Sequence, residues 1–181
     1  MAKLVMWNLM TLDGFFEGVN RDISWFADVW GDELERLSID QLTAAGGLLF
    51  GRVTYELMAK HWPGASGNIA DRMNALPKYV FSRTLTAADW NNTQMFASDV
   101  ERIVARLKRD SSGDIYLFGS ADLAAELTKT GLIDEYRIGL NPVVLGGGVP
   151  LFKPGEKVKL QLLDSRALSN GVVILRYEPV R

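Results

Sequence analysis

Three short segments of this sequence carry residues suited to holding negative charge. Gly51 to Glu56 reads GRVTYE and follows the apolar run GGLLF. Arg52, Thr54 and the free backbone N–H groups behind Gly51 therefore fall together at a strand-to-helix turn, where a guanidinium, a hydroxyl and amides make an anion site. Ser82 and Arg83 close the run YVFSR, at the C-terminal end of a strand, where open α/β sheets collect ligands. Gly119, Ser120 and Ala121 follow DIYLF and open the helix-forming stretch ADLAAEL. Small residues at that point let a pyrophosphate come close to a helix N-terminus. Each segment taken alone is equally a turn. Together, at the ends of successive β-α units, they point to a ligand with several anionic groups, as a dinucleotide has.

Other chemistries are excluded or left without support. The chain has no cysteine, which rules out disulfides, thiolate nucleophiles and cysteine-ligated metals. The single histidine, His61, lies beside Trp62 and Pro63 in HWPGASGN, read as a solvated surface loop over residues 61–68, so no metal site is expected. There is no G-x-S-x-G elbow, no Walker pattern and no G-x-G-x-x-G after a strand. The run Gly146, Gly147, Gly148 precedes Pro150 and opens no helix, so it reads as a flexible turn. The formal net charge is -2, without the basic excess that neutralising a nucleic-acid backbone requires.

The elements that must position these residues alternate. Apolar runs rich in β-formers recur at Leu4 to Leu9, Gly47 to Phe50, Tyr79 to Phe81, Ile115 to Phe118 and Tyr136 to Leu140. Helical patterns lie between several of them, which predicts an α/β fold. Asp99 is placed to cap a helix bearing Val100, Ile103, Val104 and Leu107, and a second helix runs from Ala121 to about Thr130 before Gly131. Val158 to Leu163 and Val172 to Tyr177 flank Ser169, Asn170 and Gly171, the signal for an antiparallel hairpin. The expected architecture is a mostly parallel sheet with an antiparallel C-terminal edge. With 181 residues and 48% hydrophobic content, one domain over 1–181 suffices. The first eleven residues read as a strand, not a signal peptide, and no apolar run approaches the roughly 18 residues of a membrane span. A cytoplasmic protein is expected.

The order TLDG, LLFGRVTYE, YVFSR, GSADLAAEL, GLIDEY and LNPVVLGGGVPLF resembles the dihydrofolate reductase-like superfamily, most nearly the reductase domain of riboflavin biosynthesis and its stand-alone bacterial relatives. The resemblance runs from about Leu4 to Phe152 and implies a three-layer α/β domain that binds NADPH. It implies Gly51, Arg52 and Thr54 at the phosphates, Ser82 and Arg83 near the 2'-phosphate, and Gly119, Ser120, Ala121 and Leu123 along the pyrophosphate. The family commonly has Gly-Gly where Gly119-Ser120 stands, and Ser takes up left-handed φ less readily.

Stand-alone relatives carry Leu-Asp-Gly after the first strand, as Leu12, Asp13 and Gly14 do. Asp13 is therefore the expected catalytic acid, with an Asp-Gly turn as the alternative. Trp25 is the aromatic expected in the substrate pocket. Hydride transfer to a small heterocycle is implied, with 5-amino-6-(5-phosphoribosylamino)uracil as the named candidate. Without a Cys/His zinc motif the chain would supply at most the reductase half of the riboflavin enzyme. Folate reduction is a weaker alternative: Leu76, Pro77 and Lys78 stand where a basic residue for the glutamate tail is needed, and its pterin-binding acid has only Asp22, Asp28, Asp32 and Glu33 as candidates. A nucleotide-binding module without turnover is another alternative, and a homodimer is expected.

Overall fold

In the computed structural model, which describes residues 1–154 and 157–180, the apolar runs form the middle of an eight-stranded sheet. The strands are β1 (Leu4–Thr11), β2 (Phe15–Glu17), β3 (Ala45–Gly51), β4 (Lys78–Phe81), β5 (Thr93–Phe96), β6 (Asp114–Phe118), β7 (Glu135–Asn141), β8 (Val149–Pro150), β9 (Leu160–Ala167) and β10 (Val173–Pro179). The helices are α1 (Trp25–Val29), α2 (Asp32–Ala44), α3 (Arg52–His61), α4 (Asn68–Ala75), α5 (Val100–Asp110) and α6 (Ala121–Lys129). Sheet order is β5-β4-β3-β6-β1-β7-β10-β9. β10 runs antiparallel to β7 and β9, and the other pairs are parallel. β2 and β8 pair separately, antiparallel.

The central strands are buried on both faces, which explains their largely apolar sequences. Leu4, Met6, Leu49, Ile115 and Leu117 pack with Ile103, Val104 and Leu107 of α5 and Leu123 and Leu127 of α6. Their neighbours Val5, Trp7, Leu48, Phe50 and Tyr116 pack on the opposite face with residues of α1 to α4. The alternation of side chains along each strand thus builds two cores and three layers. α6 ends as its sequence predicts: Gly131 takes φ +67°, its N–H reaches Thr128 O, and the N–H of Leu132 reaches Leu127 O, the paired bonds of a Schellman motif.

Four expectations change. Residues 61–68 are largely helical: His61 ends α3, Trp62–Gly64 form a 3-10 turn, and α4 starts at Asn68. Trp62 anchors this stretch by donating its indole N–H to Met58 Sδ at 3.0 Å, and the half-buried ring packs against the core below. Asp99 does stand at the N-cap of α5, but in the left-handed region at φ 58°. Its carboxylate pairs with Arg102 at 2.8 Å instead of capping, because an N-cap side chain normally reaches the backbone from extended geometry. The first hairpin strand is Leu160–Ala167, later than expected, with the turn closed by Leu168 N–H to Val172 O and Gly171 at φ +87°. Finally, the apolar segment around Val172 to Leu175 is not an edge: β10 is paired on both sides, and the free edge belongs to β9, whose residues beyond Leu160 are all exposed.

Glu135 organises the base of the sheet. It is 1% exposed and accepts hydrogen bonds from Arg137 at 2.7 Å and from Arg176 at 2.8 Å. Burial pushes its carboxyl up, but the two guanidiniums outweigh that and leave it below the ordinary 4.5. Its stabilisation is therefore complete above 4.5 and is lost as pH falls through the lowered native value. Removing the charge strands two partly buried cations. Glu135→Gln is expected to cost about 3 kcal/mol in urea unfolding near neutral pH, with the difference shrinking below pH 4.5.

Candidate functional site

Two depressions meet where β3 and β6 end, beside the middle of β1. The first is a cleft of about 390 Å³ bordered by Gly51 and Arg52 after β3, Ser82 and Arg83 after β4, Asp99 before α5, and Ser120, Asp122 and Leu123 at the start of α6. The second is a cavity of about 440 Å³ walled by apolar side chains of β1, β2, α2, α3, α4 and the chain around α1. Thr54 and Gly119 face the cavity, while Gly51 and Ser120 face the cleft. Residues of the same two turns thus look into different compartments.

Those turns fit closely together. Gly119 and Ser120 both occupy the left-handed region, at φ 56° and 57°. A Cβ on Gly119 would meet Thr54 Oγ1 at 2.6 Å, so glycine is required there by space as well as by φ. Ser120, where the family's second glycine is usual, offsets its strained backbone through its hydroxyl. Its Oγ accepts the Gly51 N–H at 2.7 Å and donates to Thr54 Oγ1 at 3.0 Å. The Gly51 N–H, expected to face a phosphate, is therefore already bonded. From β1, Asn8 Oδ1 accepts the Gly119 N–H at 2.7 Å. α3 and α6 begin at Gly51 and Ser120 without side-chain caps, leaving amides of their first turns open on this side.

Charge in the cleft is mixed. Arg52 pairs with Glu56 at 2.8 Å. Asp99 and Asp122 are engaged by Arg102 and Lys153. Arg83 is exposed and has no partner among the described residues. Ser82 Oγ accepts the N–H groups of Thr84 at 3.1 Å and Leu85 at 2.9 Å, a hydroxyl turn that fixes where Arg83 leaves the sheet. The structure thus brings Gly51, Arg52, Ser82, Arg83, Ser120 and Leu123 to one cleft, puts Thr54 and Gly119 across the dividing wall, and buries Ala121 in the core beneath α6.

Two expected residues lie outside both depressions. Asp13 is exposed, and its carboxylate accepts from Thr11 Oγ1 at 2.6 Å and from the N–H groups of Leu145 at 3.1 Å and Gly146 at 2.7 Å. The Thr11 hydroxyl and then these amides hold its carboxyl below the usual carboxylate range. Asp13 is therefore ionised near neutral pH, with no proton to give, and it pins the glycine run to β1. Trp25 is 4% exposed and buried in the core, its ring edge-on to Phe26 at 4.2 Å. Phe26 and Trp30, which follow it in sequence, are the aromatics of that segment that line the cavity.

Five polar residues of the cavity wall were not anticipated there: Asn8, Glu17, Ser38, Gln41 and His61, the last expected in a solvated loop. Asn8 interrupts an otherwise apolar strand, and Gln41 occupies the register of Leu34 and Leu37 on α2, so each carries a sequence signal of a polar group placed inward. Glu17, on the short β2, carries none. Burial pushes the Glu17 carboxyl above its ordinary value, against the pull of Arg21. A raised native value means the folded state holds the proton more tightly, so stability falls as pH rises from 4.5 through that value. Glu17→Gln cannot ionise and should escape this loss. Urea unfolding from pH 4.5 upward checks it, with the variant gaining on the wild type as pH rises.

The family comparison follows this geometry. Residues 2–174 match the model of the RibD C-terminal domain, and the chain belongs to that family. It is 31% identical to the Bacillus subtilis (strain 168) protein YyaP over 97% of this chain and 94% of that one. Its fold is that of a riboflavin biosynthesis protein from Shewanella sp. PV-4, with TM-score 0.80 at 21% identity and all of both chains covered. It also superposes on dihydrofolate reductase from Enterococcus faecalis, solved with NADP(H), with TM-score 0.66 at 13% identity over 99% of this chain and 97% of that one. The α/β fold is therefore dihydrofolate reductase-like.

Proposed function

We propose that this chain is an NADPH-dependent reductase that passes a hydride to a small cyclic acceptor. The observation that carries this reading is the meeting of a phosphate-suited cleft with an apolar cavity across one wall, Gly51, Thr54, Gly119 and Ser120. An elongated dinucleotide has phosphates at one part and a flat ring at the other, which matches the two compartments. The residues present fit such a group. Asn8 Nδ2 is a buried donor without a partner beside Gly119, on the cavity side, where a ring carboxamide could use it. The uncapped first turns of α3 and α6 offer amides to phosphate oxygens, and the unpaired Arg83, with Arg52, offers cations to an additional phosphate.

When bound, reduced nicotinamide supplies the hydride; the chain supplies position and a proton. Asn8, Thr54 and Gly119 form the wall against which ring and acceptor would meet. Apolar side chains make up most of the cavity wall, a surface that suits a flat ring. Glu17, whose carboxyl burial pushes above its ordinary value, lines the cavity and would be the acid that hands a proton to the acceptor. This moves the acid's role from Asp13 to Glu17.

The folate alternative loses support, because α2 contributes Ser38, Gln41 and Leu42 to the cavity and none of its acids. Asp22 is occupied with Ser24, and Glu33 with Ser169. The homodimer belongs to the same reading, with the free edge of β9 as the strand a second copy would pair.

Arg83→Ala should weaken NADPH binding about tenfold and NADH binding by no more than about twofold, because a charge-assisted bond to one phosphate is lost. Nicotinamide fluorescence titrations of wild type and variant with both nucleotides check this. Equal losses for the two would remove the 2'-phosphate assignment.

A further inference from the structure

The riboflavin precursor that the family resemblance names carries a phosphate. The cavity has no place for one. Among the described residues that line it there is no Lys or Arg, its one imidazole, His61, is exposed to solvent, and its carboxylate is Glu17. A phosphate entering would lose water and find no guanidinium or ammonium to pair with, and an unpaired charge away from water is among the costliest states a protein can impose.

One of the polar groups on its wall has a defined sense. Gln41 is 5% exposed and lines the cavity, and its Oε1 accepts from Arg137 Nη1 at 2.7 Å. Arg137 is itself held by Glu135, at 2.7 Å, beneath the sheet. An amide whose oxygen is fixed by a guanidinium must turn its NH₂ the other way. Gln41 therefore presents the Nε2 donor to the cavity, and the Glu135–Arg137 pair keeps it so. A fixed donor in apolar surroundings is satisfied by a ligand acceptor and penalises a ligand that lacks one.

We infer that the substrate taken by this cavity is an uncharged, phosphate-free ring compound bearing a carbonyl oxygen, with Gln41 Nε2 as the donor to that oxygen. This rests on the cavity being the acceptor side of the proposed reductase. It makes Gln41 a specificity-determining residue positioned by Arg137.

The test uses the full chain without nicotinamide nucleotide and reads quenching of tryptophan fluorescence, since Trp7, Trp30 and Trp62 line the cavity. Two pairs serve as probes: 1-naphthol against 1-naphthyl phosphate, and 2-quinolone against naphthalene, which offers no lone-pair acceptor. Wild type should bind 1-naphthol at least about tenfold more tightly than its phosphate. It should also prefer 2-quinolone over naphthalene by about fivefold. Gln41→Leu should lose the second preference by weakening 2-quinolone while binding naphthalene as before. The wild-type pairs decide the substrate class even where that variant does not fold, and Gln41→Met is the alternative variant. Phosphate bound as tightly as the naphthol, no quinolone preference, a preference kept in the folded variant, or no binding of either neutral probe would each overturn the inference. Because no dinucleotide is present, a failure of cofactor binding leaves this result standing, and a failure here leaves the cofactor reading intact.

Discussion

The turn after β6 lies so close to the turn after β3 that the identity of both follows from that contact. Gly119 cannot carry a side chain, because Thr54 Oγ1 stands 2.6 Å from where its Cβ would be. Ser120 accepts a left-handed backbone in order to place a hydroxyl between Gly51 N–H and Thr54 Oγ1. Left-handed geometry costs a non-glycine residue roughly 1–2 kcal/mol, and two hydrogen bonds of about 1 kcal/mol each offset it. The Asn8 carboxamide ties this knot to β1 from below. One wall results, with helix N-termini and phosphate-suited groups on one side and an apolar cavity on the other.

The two sides differ in how they treat charge. The cleft is open, and its ions are mostly balanced by neighbours, Arg52 by Glu56 and Asp122 by Lys153, so the unpaired Arg83 stands out against a nearly neutral background. Among the described residues the cavity wall has no Lys or Arg, and its one carboxylate, Glu17, is pushed toward its neutral form by burial. A guanidinium does reach toward the cavity, that of Arg137, but only through Gln41. Charge is converted there into the orientation of a neutral amide. This is how a strongly ionic sheet base, centred on Glu135, acts on an apolar chamber without placing an ion in it.

Much of this was legible in the chain. Central strands buried on both faces must be largely apolar, so β1, β3, β4, β6 and β7 could be read directly. Gly131 and the apolar spacing on α5 marked their helices for equally local reasons. The cleft residues were legible because small, hydroxyl and cationic residues at strand ends have few other uses. What escaped depended on distant partners. Asp13 looked like an acid near a ring until Leu145 and Gly146, more than a hundred residues later, claimed its carboxylate. Trp25 and Trp30 are indistinguishable by type, and only the path of the short α1 decides that the first is buried in the core and the second lines the cavity. Glu17 acquires its raised carboxyl from the walls that close over it, and those come from several other elements. The edge position of β9 likewise follows from pairing order, which no local pattern encodes.

The central claim is that this chain binds reduced nicotinamide dinucleotide across the wall formed by Gly51, Thr54, Gly119 and Ser120. The most direct measurement is the unfolding free energy of the wild-type protein with and without NADPH. At 100 times its dissociation constant, a ligand that binds only the folded state should add about 2.7 kcal/mol. An unfolding free energy unchanged by NADPH up to saturating concentrations, in a protein that otherwise unfolds cooperatively, would contradict the account.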